Sequence, residues 1–174
     1  DNEEIAIKVI NDDFWCYQYL SERLKNKKEI AMLAVSKSGD VLREMPDSML
    51  DDKELVITAM ANDGWRYVDK ISDRLKKDID VVIAAVLSDN RSLNEFSDEF
   101  KDNEKVVEAC LKGNGSAYSY FSNRFKHNRD IALAMSSKWG FNLEDAPDQF
   151  RNDKEIVKNA VKEDANNFSH IGSE

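Results

Sequence analysis

A period of 25 residues limits what this chain can fold into more than any other feature. Apolar anchors stand at Ile5, Ile30, Leu55, Val81, Val106, Ile131 and Ile156, spaced by 25, 25, 26, 25, 25 and 25 residues. A second set, Leu24, Met49, Leu75, Phe100, Phe125 and Phe150, closes six of the copies, each six residues before the next first anchor. The one extra residue therefore falls inside the third copy, in its loop around residues 64–67. A fixed period of this length marks stacked repeats, none of which buries its apolar face alone. The expected fold is all-α: an α-solenoid of about seven 25-residue helical repeats in one domain, 1–174. The copies are 1–25, 26–50, 51–76, 77–101, 102–126, 127–151 and 152–174.

Local chemistry divides each copy. Three residues before the anchor stand Asn2, Asp52, Asp78, Asn103, Asn128 and Asp153, with Lys27 the exception. Asn and Asp accept hydrogen bonds from the free N–H groups of a first turn, so this is a column of N-caps. Glu4, Glu29, Glu54, Asp80, Asp130 and Glu155 follow, where negative charge suits the helix dipole. Apolar residues one, four and five places after the anchor (Val82, Ala85 and Val86, for example) have helical spacing. Gly39, Gly64, Gly115 and Gly140, with Asn90, are expected to end that helix in the left-handed region. A second segment carries apolar residues 12, 15 and 19 places after the anchor, such as Leu93, Phe96 and Phe100. Ser21, Pro46, Ser72, Ser97, Ser122 or Pro147 interrupts it. Proline breaks a continuing helix yet suits a first turn, and serine caps one. The segment therefore reads as a short helix, a bend and a final helical turn.

Composition excludes some partners. The formal charge of −9 disfavours nucleic acid and anionic membranes. No stretch has the roughly 18 apolar residues that span a bilayer, and there is no signal-peptide pattern. A soluble chain is expected, either cytoplasmic or secreted. The start at Asp1 rather than Met reads as a processed or trimmed fragment. Cys110 falls in the column of Ala34, Ala59, Ala85 and Ala160 and is expected to be a small buried residue. His127 and His170 have no metal-ligand spacing, so no metal or cofactor is expected. The acidic columns recur in nearly every copy, as caps do and as a catalytic pair does not. No catalytic residue is therefore assigned, and a non-enzymatic protein is expected.

The segments DKELVITAMANDG, DNEKVVEACLKGNG, FSDEFKD and APDQFRNDKEIV resemble a bacterial repeat family known as domain of unknown function 4116. The resemblance runs along essentially the whole chain. It implies a helical repeat array, in some members part of a larger protein, candidate secreted effectors included. It implies no catalytic residue. Lys27 at a cap, the extra residue of the third copy and the polar Lys158 and Asn159 of the seventh depart from the pattern. The last two read as the outer face of a terminal repeat.

Residues that break the period carry the functional expectation. Trp15, Trp65, Tyr67, Trp139 and Phe141 lie in or beside the loop after the first helix. Repeat arrays bring such loops to one edge, and Trp and Tyr dominate interface hot spots. The competing expectation is that each ring folds back to seal its own repeat. A basic column, Lys25, Lys76, Lys101, Lys126 and Arg151 with Arg23, Arg74 and Arg124, is expected to neutralise helix C-termini and pair with nearby acids. The expected role is protein–protein binding to an unknown protein or peptide. The alternative is a spacer or scaffold segment of a larger protein with no partner of its own.

Overall fold

The computed structural model describes residues 2–172, which are all-helical with no strand among them. Every copy opens on an α-helix: Glu3–Asp12, Lys28–Lys37, Lys53–Met60, Ile79–Ser88, Glu104–Cys110, Arg129–Ser136 and Lys154–Glu163. Asn2, Asp52, Asp78, Asn103, Asn128 and Asp153 each accept a hydrogen bond from the first turn, and Lys27 makes no side-chain cap.

The second segment is tighter than an ordinary short helix. It is a 3-10 helix at Phe14–Tyr19, Gly39–Glu44, Gly64–Lys70, Asn90–Glu95, Gly115–Tyr120, Leu143–Asp145 and Ala165–His170. Its apolar residues recur at an interval of three, as at Leu93 and Phe96, and a 3-10 helix turns once in three residues. In the third copy it runs to seven residues, with Tyr67 off helical geometry (φ −116°, ψ 27°), which absorbs the extra residue. A bend and one α-turn follow at Glu22–Lys25, Asp73–Lys76, Asp98–Lys101, Asn123–Lys126 and Asp148–Arg151. The second copy forms only turns there. Its buried residue is consequently Leu50, with Met49 half-buried, a correction of one place to the expected anchor.

The glycines act differently from expectation. Only Gly140 has a left-handed backbone (φ 86°), joined by Asp63 (φ 67°) just before Gly64. Gly39 and Gly115 are needed for close approach. A Cβ on Gly39 would stand 2.2 Å from the Ala59 carbonyl oxygen, and one on Gly115 would stand 2.5 Å from the Phe141 nitrogen. Each amide instead donates to the next copy, Gly39 N to Asn62 O and Gly115 N to Trp139 O, both at 2.7 Å.

The chain forms two compact units, one ending at Phe96 and the other beginning at Ser97. In the first unit the opening helices of copies one to four pack in succession, and so do their 3-10 segments. Ile30, Ala34, Leu55, Ala59, Val81 and Val86 are buried between these layers. In the second unit the helix Arg129–Ser136 packs on Lys154–Glu163 and on the 3-10 segment and turn of the fifth copy. Asn167 is 3% exposed there and fully bonded. Its Oδ1 accepts from Leu143 N at 2.6 Å, and its Nδ2 donates to the carbonyls of Phe141 and Ala160.

Two devices fix register from copy to copy. A cation two places before the anchor reaches the cap and acid of the following copy. Lys28 meets Asp52 and Glu54, Lys53 meets Asp78 and Asp80, and Arg129 meets Asp153 and Glu155, all at 2.7–3.1 Å. These pairs are exposed, so they specify alignment more than they stabilise. The second device is the bend residue. Its amide donates one copy back, from Ser72 to Leu50 O, Ser122 to Lys101 O and Gly172 to Arg151 O, at 3.0–3.1 Å. Pro46 and Pro147 have no N–H, and the carbonyls in their column, Lys25 O and Lys126 O, accept instead from the hydroxyls of Tyr17 and Tyr118 at 2.8 Å. Capping by the serines is therefore a minor role. Only Ser72 caps its own turn, while Ser72 and Ser122 both donate to the aspartate that opens their own copy, Asp51 and Asp102.

Candidate functional site

The 3-10 segments of the first unit owe their position to a second set of caps. Asp13, Ser38 and Asp89, eight places after their anchors, accept from the amides of Trp15, Asp40 and Arg91. Packed in succession, these segments carry aromatic and arginine side chains on one edge. The Arg43 guanidinium lies 4.6 Å from the Trp15 ring centroid, and Arg66 and Arg91 lie 4.7 and 5.9 Å from that of Trp65. Tyr67 stands beside Arg43, whose pKa its hydroxyl and the Glu44 carboxylate raise further above the ordinary arginine value. Asp89 is held below the usual carboxylate range by Arg91, whose Nη2 donates to it at 2.6 Å, and by the Arg91 amide. Trp65 and Tyr67 are half-buried, and the Trp65 Nε1 is enclosed without a hydrogen-bond acceptor among the described residues. Guanidinium planes on aromatic faces favour such stacks and keep N–H donors available for carboxylates.

The five aromatic residues singled out by sequence thus part ways. Trp15, Trp65 and Tyr67 share the first unit's edge. Trp15 packs against Phe14, ring centroids 5.1 Å apart, and lies under the second copy's Arg43. Trp139 is 72% exposed in the second unit. It occupies the cap column, and the capping passes to Asn142, which shortens the 3-10 segment to three residues. Phe141 is a correction: 3% exposed, 4.9 Å from the Tyr118 ring and against the Gly115 backbone, it belongs to the core. Arg43, Arg66 and Arg91 do not stand out by residue type. The usable signal was their place in three successive loop segments, with Arg66 and Arg91 one period apart.

The basic column, Lys126 apart, pairs with nearby acids. Lys25, Lys76, Lys101 and Arg151 meet the acid three places back, and Arg23, Arg74 and Arg124 meet Glu3, Asp51 and Asp102. A groove of about 620 Å³ in the second unit is lined by Asn123, Lys126, His127, Asp145, Pro147 and Asp148. Burial raises the Asp145 pKa there, against the pull of Lys126. Its mixed charges select no ligand class. Among the described residues no three His, Cys, Asp or Glu side chains are grouped to hold a metal, and no helix is long and apolar enough to cross a membrane. Cys110 is buried, which pushes its thiol up to about 12.

No curated protein and no solved structure matches this chain. A family model, domain of unknown function (DUF4116), matches residues 2–50, 52–101, 81–126, 103–135 and 128–174. The first, second and last of these segments each take in two 25-residue copies. The chain belongs to the DUF4116 repeat family.

Proposed function

We propose that this chain is a non-enzymatic protein–protein interaction module, an α-solenoid of about seven 25-residue copies acting as one domain. Its contact edge is formed by the 3-10 segments. The observation that carries this reading is the row of stacked rings and guanidinium groups at Trp15, Arg43, Tyr67, Trp65, Arg66 and Arg91. Aromatic and arginine side chains are the residues that bind most strongly in protein interfaces. Their mutual stacking also lowers the entropy lost on binding. Trp139 is a second, separate contact.

Affinity capture from source-cell and host-cell lysates tests this, with a Trp65→Ala/Trp139→Ala variant beside the parent and circular dichroism confirming that both fold. The module reading expects a protein retained by the parent and lost by the variant. Equal retention by both would overturn the edge. Nothing retained by either would overturn the module and favour a spacer within a larger protein.

A further inference from the structure

Two polar atoms on the edge of the first unit are enclosed and unpaired. Among the described residues, Trp65 Nε1 has no acceptor and Asp40 Oδ1 has no donor. Both residues stand ten places after an anchor, Ile30 for Asp40 and Leu55 for Trp65, in successive 3-10 segments that pack on one another. Each follows a glycine, and the two glycines touch. A Cβ on Gly39 would stand 2.3 Å from Gly64 N and 2.5 Å from Gly64 Cα. That close approach sets a donor without an acceptor beside an acceptor without a donor, and the two do not bond to each other. Buried donors and acceptors are nearly always paired, so two orphans on neighbouring segments point to a third group that satisfies both.

We propose that the third group is the backbone of an extended peptide segment of a partner protein, laid along the 3-10 edge. In extended backbone one residue can give its N–H and its C=O to the same neighbour. That C=O accepts from Trp65 Nε1, and that N–H donates to Asp40 Oδ1. Such an occupant presupposes that the edge is a contact surface, as proposed above. Opening the pair takes side-chain rotation alone. Arg66 and Arg91 lie over the Trp65 ring, Arg43 stands one 3-10 turn beyond Asp40, and all three are exposed. Exposed side chains change rotamer within nanoseconds. The rings of Trp15 and Tyr67, on the copies to either side of Asp40, then flank the bound segment.

A library of random linear peptides, selected on the whole chain and counter-selected on Trp65→Phe, supplies the probe. Binding of the selected peptide is then read by fluorescence anisotropy, with circular dichroism confirming that each variant folds. Trp65→Phe keeps a ring and removes the donor; Asp40→Ala removes the acceptor. Each is expected to raise Kd about tenfold. Methylating the peptide nitrogens one at a time should find one position that weakens binding to the parent about tenfold and binding to Asp40→Ala far less. A library that yields no peptide dependent on Trp65 would overturn the proposal, and so would a peptide indifferent to methylation at every nitrogen. Either result beside a Trp65-dependent partner in the lysate capture would leave the module standing and remove only the extended-peptide occupant.

Discussion

The hydroxyls of Tyr17 and Tyr118 stand where a backbone amide donates in other copies, and both rings are buried. Removing one leaves a carbonyl without its partner, so Tyr118→Phe should cost about 1–2 kcal/mol in chemical denaturation. In a Pro147→Ser background the restored amide can reach Lys126 O, and the same substitution should cost measurably less. Equal costs in both backgrounds would sever the link between tyrosine and proline. Burial raises both hydroxyls well above the tyrosine value of 10.0, with smaller contributions from Glu22 and Asp145. The folded state therefore prefers the neutral form. That stability is fully present below pH 10 and is lost as pH rises past it, because the unfolded chain ionises first. A melting temperature that falls above pH 10, and falls less steeply in Tyr17→Phe/Tyr118→Phe, is the expected record. The pairing of each tyrosine with a proline 29 residues later was on view in the sequence. Its meaning was not, because the shared acceptor is a main-chain carbonyl with no letter of its own.

Among elements, caps were the most legible feature, since capping depends only on a few neighbouring residues. Asn128 accepts from the amides of Asp130 and Ile131, and Asn128→Ala should cost about 1 kcal/mol. The 3-10 segments were half legible: the spacing marks a short helix, but an interval of three over one turn does not separate a 3-10 helix from an α-helix. Gly39 and Gly115 were not legible because their constraint lies in the backbone of the next copy. Gly115→Ala would drive its Cβ into Phe141, and about 1–3 kcal/mol should be lost, as for other overpacked sites. A stability unchanged by that substitution in thermal melts would contradict the close-approach account. Phe141 was misplaced for a related reason. Trp139 displaced the usual cap, which shortened the 3-10 segment, and the ring at 141 packs inward on Tyr118.

At the scale of the whole chain, the period announced the repeats, and the residues that depart from it mark the candidate edge. The Trp15–Arg43 stack was not legible because the two residues are 28 apart, off the period, so no column brings them together. The central claim is that this edge contacts a partner. Its most direct test is a photo-activatable residue placed at Arg66 in one chain and at Asp73 in another, each irradiated in lysate. Arg66 lies in the stacked row, and Asp73 is an exposed residue of the following turn. The account predicts a specific crosslinked protein from position 66 and none from position 73. The same product from both positions, or from position 73 alone, would contradict it.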